Sequence, residues 1–93
     1  MGVNISIMDS RTKRDLPEWD FYRHAGDRKV SGILYAIPNT TLYEDMDFVI
    51  TRPEIVEYFR AALHANIQYN PERWDQMCDI LARDAYLGLY FSW

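Results

Sequence analysis

Val3, Ile5 and Ile7 alternate with Asn4, Ser6 and Met8 at the start of the chain, which predicts a strand over residues 3–8 with one apolar face. The polar run from Asp9 to Lys13 ends it in a turn. Asp15 then stands where an N-cap would, with Pro17 in the first turn, Glu18 three residues on and Gly26 as a stop, so a short helix near 16–25 is expected, with an irregular loop as the alternative because the apolar run Leu16, Trp19, Tyr22 is short. Residues 29–37 hold Val30, Ile33, Leu34, Tyr35 and Ile37 and stop at Pro38-Asn39. They read as a second strand with Gly32 as a bulge. Thr41-Leu42-Tyr43-Glu44 has capping-box spacing, and Leu42, Met46 and Val49 recur at helical intervals. A short helix leading into an extended link at Phe48–Thr51 is the expectation there.

The second half has clearer punctuation. Thr51-Arg52-Pro53-Glu54 has the form of a capping box with proline in the first turn, and it opens a helix over 53–66 whose apolar face carries Ile55, Phe59, Ala62 and Leu63. Asn70-Pro71 opens another over 71–83, in which Trp74, Met77, Cys78 and Leu81 fall at i, i+3, i+4 and i+7. So short a link between two helices implies an antiparallel hairpin. After Asp84 the period returns to two. Leu87, Leu89, Phe91 and Trp93 alternate with Tyr86, Gly88, Tyr90 and Ser92, predicting a strand over 86–92. The fold class is α+β: a small, mainly antiparallel sheet (strands near 3–8, 29–37 and 86–92), with the helical hairpin (53–66, 71–83) and the short N-terminal helix packed on one face.

At 93 residues the chain reads as a single domain, 1–93. Its four Phe, seven Tyr and three Trp exceed what so short a chain readily encloses, and surplus rings favour interfaces. The net charge of −4 is uneven: residues 30–93 hold four basic residues against nine acids, which argues against direct nucleic-acid binding. No run approaches the roughly 18 apolar residues of a membrane helix, and no continuous apolar leader opens the chain. With one cysteine, Cys78, a cytoplasmic setting is expected. The start of the chain also fits a myristoylation pattern, and Asn4 and Asn39 open glycosylation sequons. Strand-like alternation and the cytoplasmic reading leave these idle.

The densest chemistry lies in 19–28. Trp19, Tyr22, Arg23, His24, Asp27 and Arg28 combine the residue types that dominate protein interfaces, with Tyr90 and Trp93 as secondary contacts. The leading expectation is a non-enzymatic protein-contact or accessory protein, with a protein partner that includes a second copy of the chain. One alternative is a small enzyme or anionic-ligand binder using Arg23, His24 and Arg28, with paired guanidiniums on the anion and an imidazole to move a proton. Another is an acidic decoy of nucleic acid. No cofactor is expected. Asp20, His24, Asp27 and His64 lack the dense spacing of a metal site, so no metal is expected either. Cys78 lies on an apolar stripe and reads as a core thiol rather than a nucleophile.

Overall fold

The computed structural model describes residues 4–19, 28–37, 41–43 and 45–92. Its elements run β1 (Asn4–Asp9), β2 (Arg14–Asp15), α1 (Arg28–Tyr35), β3 (Thr41–Tyr43), β4 (Asp45–Ile50), α2 (Pro53–Asn66), α3 (Pro71–Leu81) and β5 (Leu87–Ser92). Among the described residues the strands form one five-stranded sheet, β2-β1-β5-β4-β3, with every neighbouring pair antiparallel. The α+β class read from the sequence is the one observed.

The last strand is central. β5 pairs with β1 along six residues, from Asn4↔Ser92 to Asp9↔Leu87, and with β4 from Phe48↔Tyr90 to Ile50↔Gly88. Its alternation carries Leu87, Leu89 and Phe91 into the core beside Ile5 and Ile7 of β1 and Val49 of β4. Val30 and Leu34 of α1, Val56, Phe59 and Leu63 of α2, and Trp74, Met77, Cys78 and Leu81 of α3 close over that same face. Trp74 is fully buried, and its indole N–H still finds a partner by donating to the Tyr69 carbonyl at 2.7 Å.

The helical hairpin follows its punctuation, with small differences at the ends. α2 starts at Pro53, but Arg52 is the N-cap and makes no side-chain cap bond, so the capping box does not form. Thr51 Oγ1 donates instead to the Val49 carbonyl at 3.4 Å, tying the helix entry to β4. α3 opens at Pro71 behind Asn70, which is left-handed at φ 55°, a conformation asparagine tolerates better than most residues. It stops at Leu81, and Ala82 and Arg83 form a turn.

Three expectations need correction. The segment 29–37 is not a strand: residues 28–35 form α1, because Val30, Ile33 and Leu34 at i, i+3 and i+4 bury against α2 and the sheet only as a helix face. Gly32 lies on the exposed side of that helix and is not a bulge. The segment 41–50 is not a helix and link but the β3–β4 hairpin, with its register shifting between Leu42 and Tyr43. Pairing with β5 places β-prone Phe48, Val49 and Ile50 in a sheet and overrides the helical spacing before them. Of the expected helix near 16–25, Leu16–Trp19 form a turn in which the Trp19 N–H donates to the Leu16 carbonyl at 3.2 Å. The remainder, 20–25, lies outside the described residues.

Two glycines separate steric need from conformational slack. A Cβ on Gly88 would collide with the Val49 carbonyl oxygen, and would lie 2.6 Å from Cε1 of Phe48 and 2.9 Å from Cα of Ile50. At Gly32 a Cβ meets nothing within 4 Å. Gly88→Ala is therefore expected to destabilise by about 1–3 kcal/mol or more. Gly32→Ala should stabilise by about 0.5–1 kcal/mol, by removing backbone entropy from the unfolded chain. Urea midpoints of the two variants measure both. Equal effects would mean that the close approach across β4 and β5 is not made.

Candidate functional site

The face of the sheet turned away from the helices is the most distinctive part of the molecule. Its centre is two cross-strand rows, Ser6–Tyr90–Phe48 and Met8–Gly88–Ile50, running across β1, β5 and β4. Ser6, Met8, Ile50 and Tyr90 are half-buried. Phe48 and Gly88 are buried, with the Phe48 ring lying against Gly88 outside the helix-covered core. An antiparallel sheet with helices on one side commonly turns polar side chains outward on the other. Here methionine, isoleucine and tyrosine stand around a glycine; on β1, β5 and β4 neither row carries an acid or a basic group, and Asp15 of β2 extends the second row beside Met8.

Three strands about 4.8 Å apart and six residues long, at about 3.3 Å per residue, span about 300 Å². Only part of that face is exposed apolar surface, because Phe48 and Gly88 are buried and Met8, Ile50 and Tyr90 are half-buried.

The residues singled out from sequence separate in the structure. Trp19 is not a surface contact: it is 6 % exposed and belongs to the core, with its indole N–H donating to the Ile5 carbonyl at 2.9 Å. The ring is enclosed because an amphipathic side chain can bury its body while its N–H satisfies a strand edge. Tyr90 is on the helix-free face beside Met8 and Ile50, in a different neighbourhood from Trp19. Arg28 is the first residue of α1. Tyr22, Arg23, His24, Asp27 and Trp93 lie outside the described residues, as does Asp20 of the metal set considered from sequence. Met8 is hard to single out from sequence because it shares a phase with Asn4 and Ser6, the polar positions of β1. The signal lay in β5, whose outer phase of Gly88 and Tyr90 has no charge to match a solvated sheet.

On the helical side one group of charged side chains forms a clamp between α2 and α3. Arg60 of α2 bridges to α3: Nη1 donates to Asp75 Oδ1 at 3.0 Å and Nη2 to Asp79 Oδ1 at 2.8 Å, while Nε reaches Glu57 Oε1 at 3.1 Å. His64 Nε2 donates to the same Asp75 oxygen at 2.9 Å. These hydrogen bonds, from His64 first and then Arg60, hold the Asp75 carboxyl below its ordinary range. Spacing of four between Arg60 and His64, and again between Asp75 and Asp79, is the sequence signal for this clamp once the hairpin is recognised.

At the opposite end of the hairpin, Arg11 binds Asp9 at 2.8 Å and Asp84 at 2.7 Å and stacks over the Tyr86 ring at 4.5 Å. Arg83 donates to Glu18 at 2.9 Å. Burial pushes the Cys78 thiol up to about 12, which leaves it protonated and inert at neutral pH. Among the described residues no three His, Cys, Asp or Glu side chains are grouped to hold a metal ion. The outer side of α2 adds an open depression lined by Tyr58, Ala61 and Ala62.

No family model, curated protein or solved structure matches the chain.

The Asp75 clamp gives a pH dependence of known sign. A carboxyl whose folded-state pKa is depressed contributes stability above its unfolded value, near about 4, and loses that contribution as pH falls through the folded value. Asp75→Asn should therefore show a shallower fall in thermal midpoint than the parent below about pH 4. Melting curves from pH 7 to pH 2 test this. Parallel pH profiles would show that the clamp does not bias folding.

Proposed function

We propose that the chain acts by contact with another protein rather than by catalysis, and that the partner docks on the helix-free sheet face around Gly88. The reading rests on one observation: Met8, Ile50 and Tyr90 stand half-exposed together on β1, β4 and β5, with the Asp15 carboxylate of β2 only at the margin beside Met8. Burying such a patch returns about 25 cal/mol for each Å² of apolar surface removed from water. Tyrosine at its centre suits the role, with a rigid ring for packing and a hydroxyl for direction.

The size of the patch indicates the kind of contact. A standard stable interface takes about 800 Å² from each partner, well above the roughly 300 Å² available on these three strands. A transient or regulated association fits that area better than an obligate one. A second copy of the chain is the first partner to test, since it offers the same apolar centre.

Photo-crosslinking distinguishes this face from the rest of the molecule. With p-benzoylphenylalanine in place of Tyr90, a discrete adduct is expected in cells, and Ile50→Lys should reduce its yield at least tenfold, about 1.4 kcal/mol of binding, while the chain stays folded. The same probe at Tyr58, at 66 % the most exposed large hydrophobic among the described residues, should give no discrete adduct. The adduct's mass reports whether the partner is a second copy. Equal yields from both positions, or a yield that Ile50→Lys leaves unchanged, would remove the proposal.

A further inference from the structure

Among the described residues β1 has a full neighbour on one side only. β5 pairs with all six of its residues, whereas β2 pairs with Met8 and Asp9 alone. The free side along Ile5–Ile7 would present open N–H and C=O groups to any extended chain. Natural edges are commonly blunted by lysine, proline or an inward charge. Asn4-Ile5-Ser6-Ile7-Met8 has none of these. At the other margin of the sheet, β3 is only three residues long and ends in a register shift, which blunts that edge by itself.

Ile5 and Ile7 are nevertheless 1 % and 0 % exposed, backbone included. The Leu16 N–H donates to the Ile7 carbonyl at 2.8 Å, and the Trp19 indole N–H donates to the Ile5 carbonyl at 2.9 Å. Two acceptors two residues apart on one side of a strand are the set a neighbouring antiparallel strand would engage. Pro17 lies between the two donors and has no N–H of its own, so this segment cannot continue as a strand and pass the open edge outward. Glu18, next to Trp19, is tied down by Arg83 at 2.9 Å.

We infer that Trp19 guards the β1 edge: its indole takes the place of a neighbouring strand and keeps a second copy of the chain from pairing there. The partner excluded is a second copy because β1 would meet its own equivalent antiparallel across a two-fold axis, with Ile5 and Ile7 supplying matching donors and acceptors on both sides. No charge from Asn4 to Met8 opposes that pairing.

The experiment removes the N–H and keeps the ring. Trp19 is replaced by 3-benzothienylalanine, in which sulfur stands where the indole N–H was, and separately by Trp19→Phe. Both are made in an Ile50→Lys background, so that association through the sheet face does not contribute. The benzothienyl variant should fold, as judged by a cooperative melt, yet self-associate at least tenfold more tightly than its Trp19 parent in sedimentation equilibrium. Amides of Ile5 and Ile7 should exchange more slowly in the dimer. Trp19→Phe should behave likewise where it folds, and the isosteric variant decides if it does not. A folded benzothienyl variant that stays monomeric like its parent would overturn the inference. So would association that leaves the β1 amides unprotected, or failure of the isosteric variant to fold, since the bond would then hold the core rather than close an edge.

Discussion

The approach of β4 to β5 at Gly88 is the contact on which the architecture depends. The Val49 carbonyl, the Ile50 Cα and the Phe48 ring all occupy space that any side chain at position 88 would need. Because Gly88 leaves it free, the Phe48 ring lies against the middle strand on the side away from the described helices, while Val49 and Leu89, paired beside it, belong to the core. The same position is bracketed on β1 by Met8. One missing Cβ thus lets β4 approach β5 closely and leaves no side chain at the centre of the outer face. Glycine in a strand interior ordinarily weakens it, and a close approach of this kind is the usual compensation.

From that centre the two sides of the sheet diverge in character. The helical side is held by buried apolar side chains and by surface ion pairs that close on themselves, such as Arg60 with Asp75 and Asp79. Isolated exposed pairs contribute little each, typically below about 1 kcal/mol, so the burial of Trp74, Phe59, Leu63 and Phe91 carries the stability. The other side keeps apolar side chains half in water without a described helix over them. Margins of the sheet are closed by local devices, Leu16 and Trp19 on β1 and a short, shifted strand at β3.

Legibility from sequence followed the strength of local signals. The α2–α3 hairpin was readable because Pro53 and Pro71 fix the starts and the Trp74–Met77–Cys78–Leu81 stripe has a single helical period. β1 and β5 were readable from strict alternation. The segment 29–37 misled because Val30, Ile33, Leu34, Tyr35 and Ile37 fit a continuous apolar strand as well as a helix face, and Gly32 argued against the helix that formed. At 41–50 the spacing of Leu42, Met46 and Val49 is helical, whereas the partner that makes β4 a strand lies forty residues away in β5, beyond local reach. The candidate site divided in the same way. Tyr90 was flagged by its residue type, but Met8 and Ile50 join it only through strand register. Trp19 has the chemistry of an interface and the position of an edge seal, and only the fold separates the two.

The most direct test of the Gly88 contact is a nuclear Overhauser spectrum of the native protein. The account predicts cross-peaks from the Phe48 ring protons to the Gly88 Hα, together with a strong Hα–Hα cross-peak between Gly88 and Ile50. A spectrum of the folded chain in which the Phe48 ring contacts neither Gly88 nor its neighbours on β5 would contradict it.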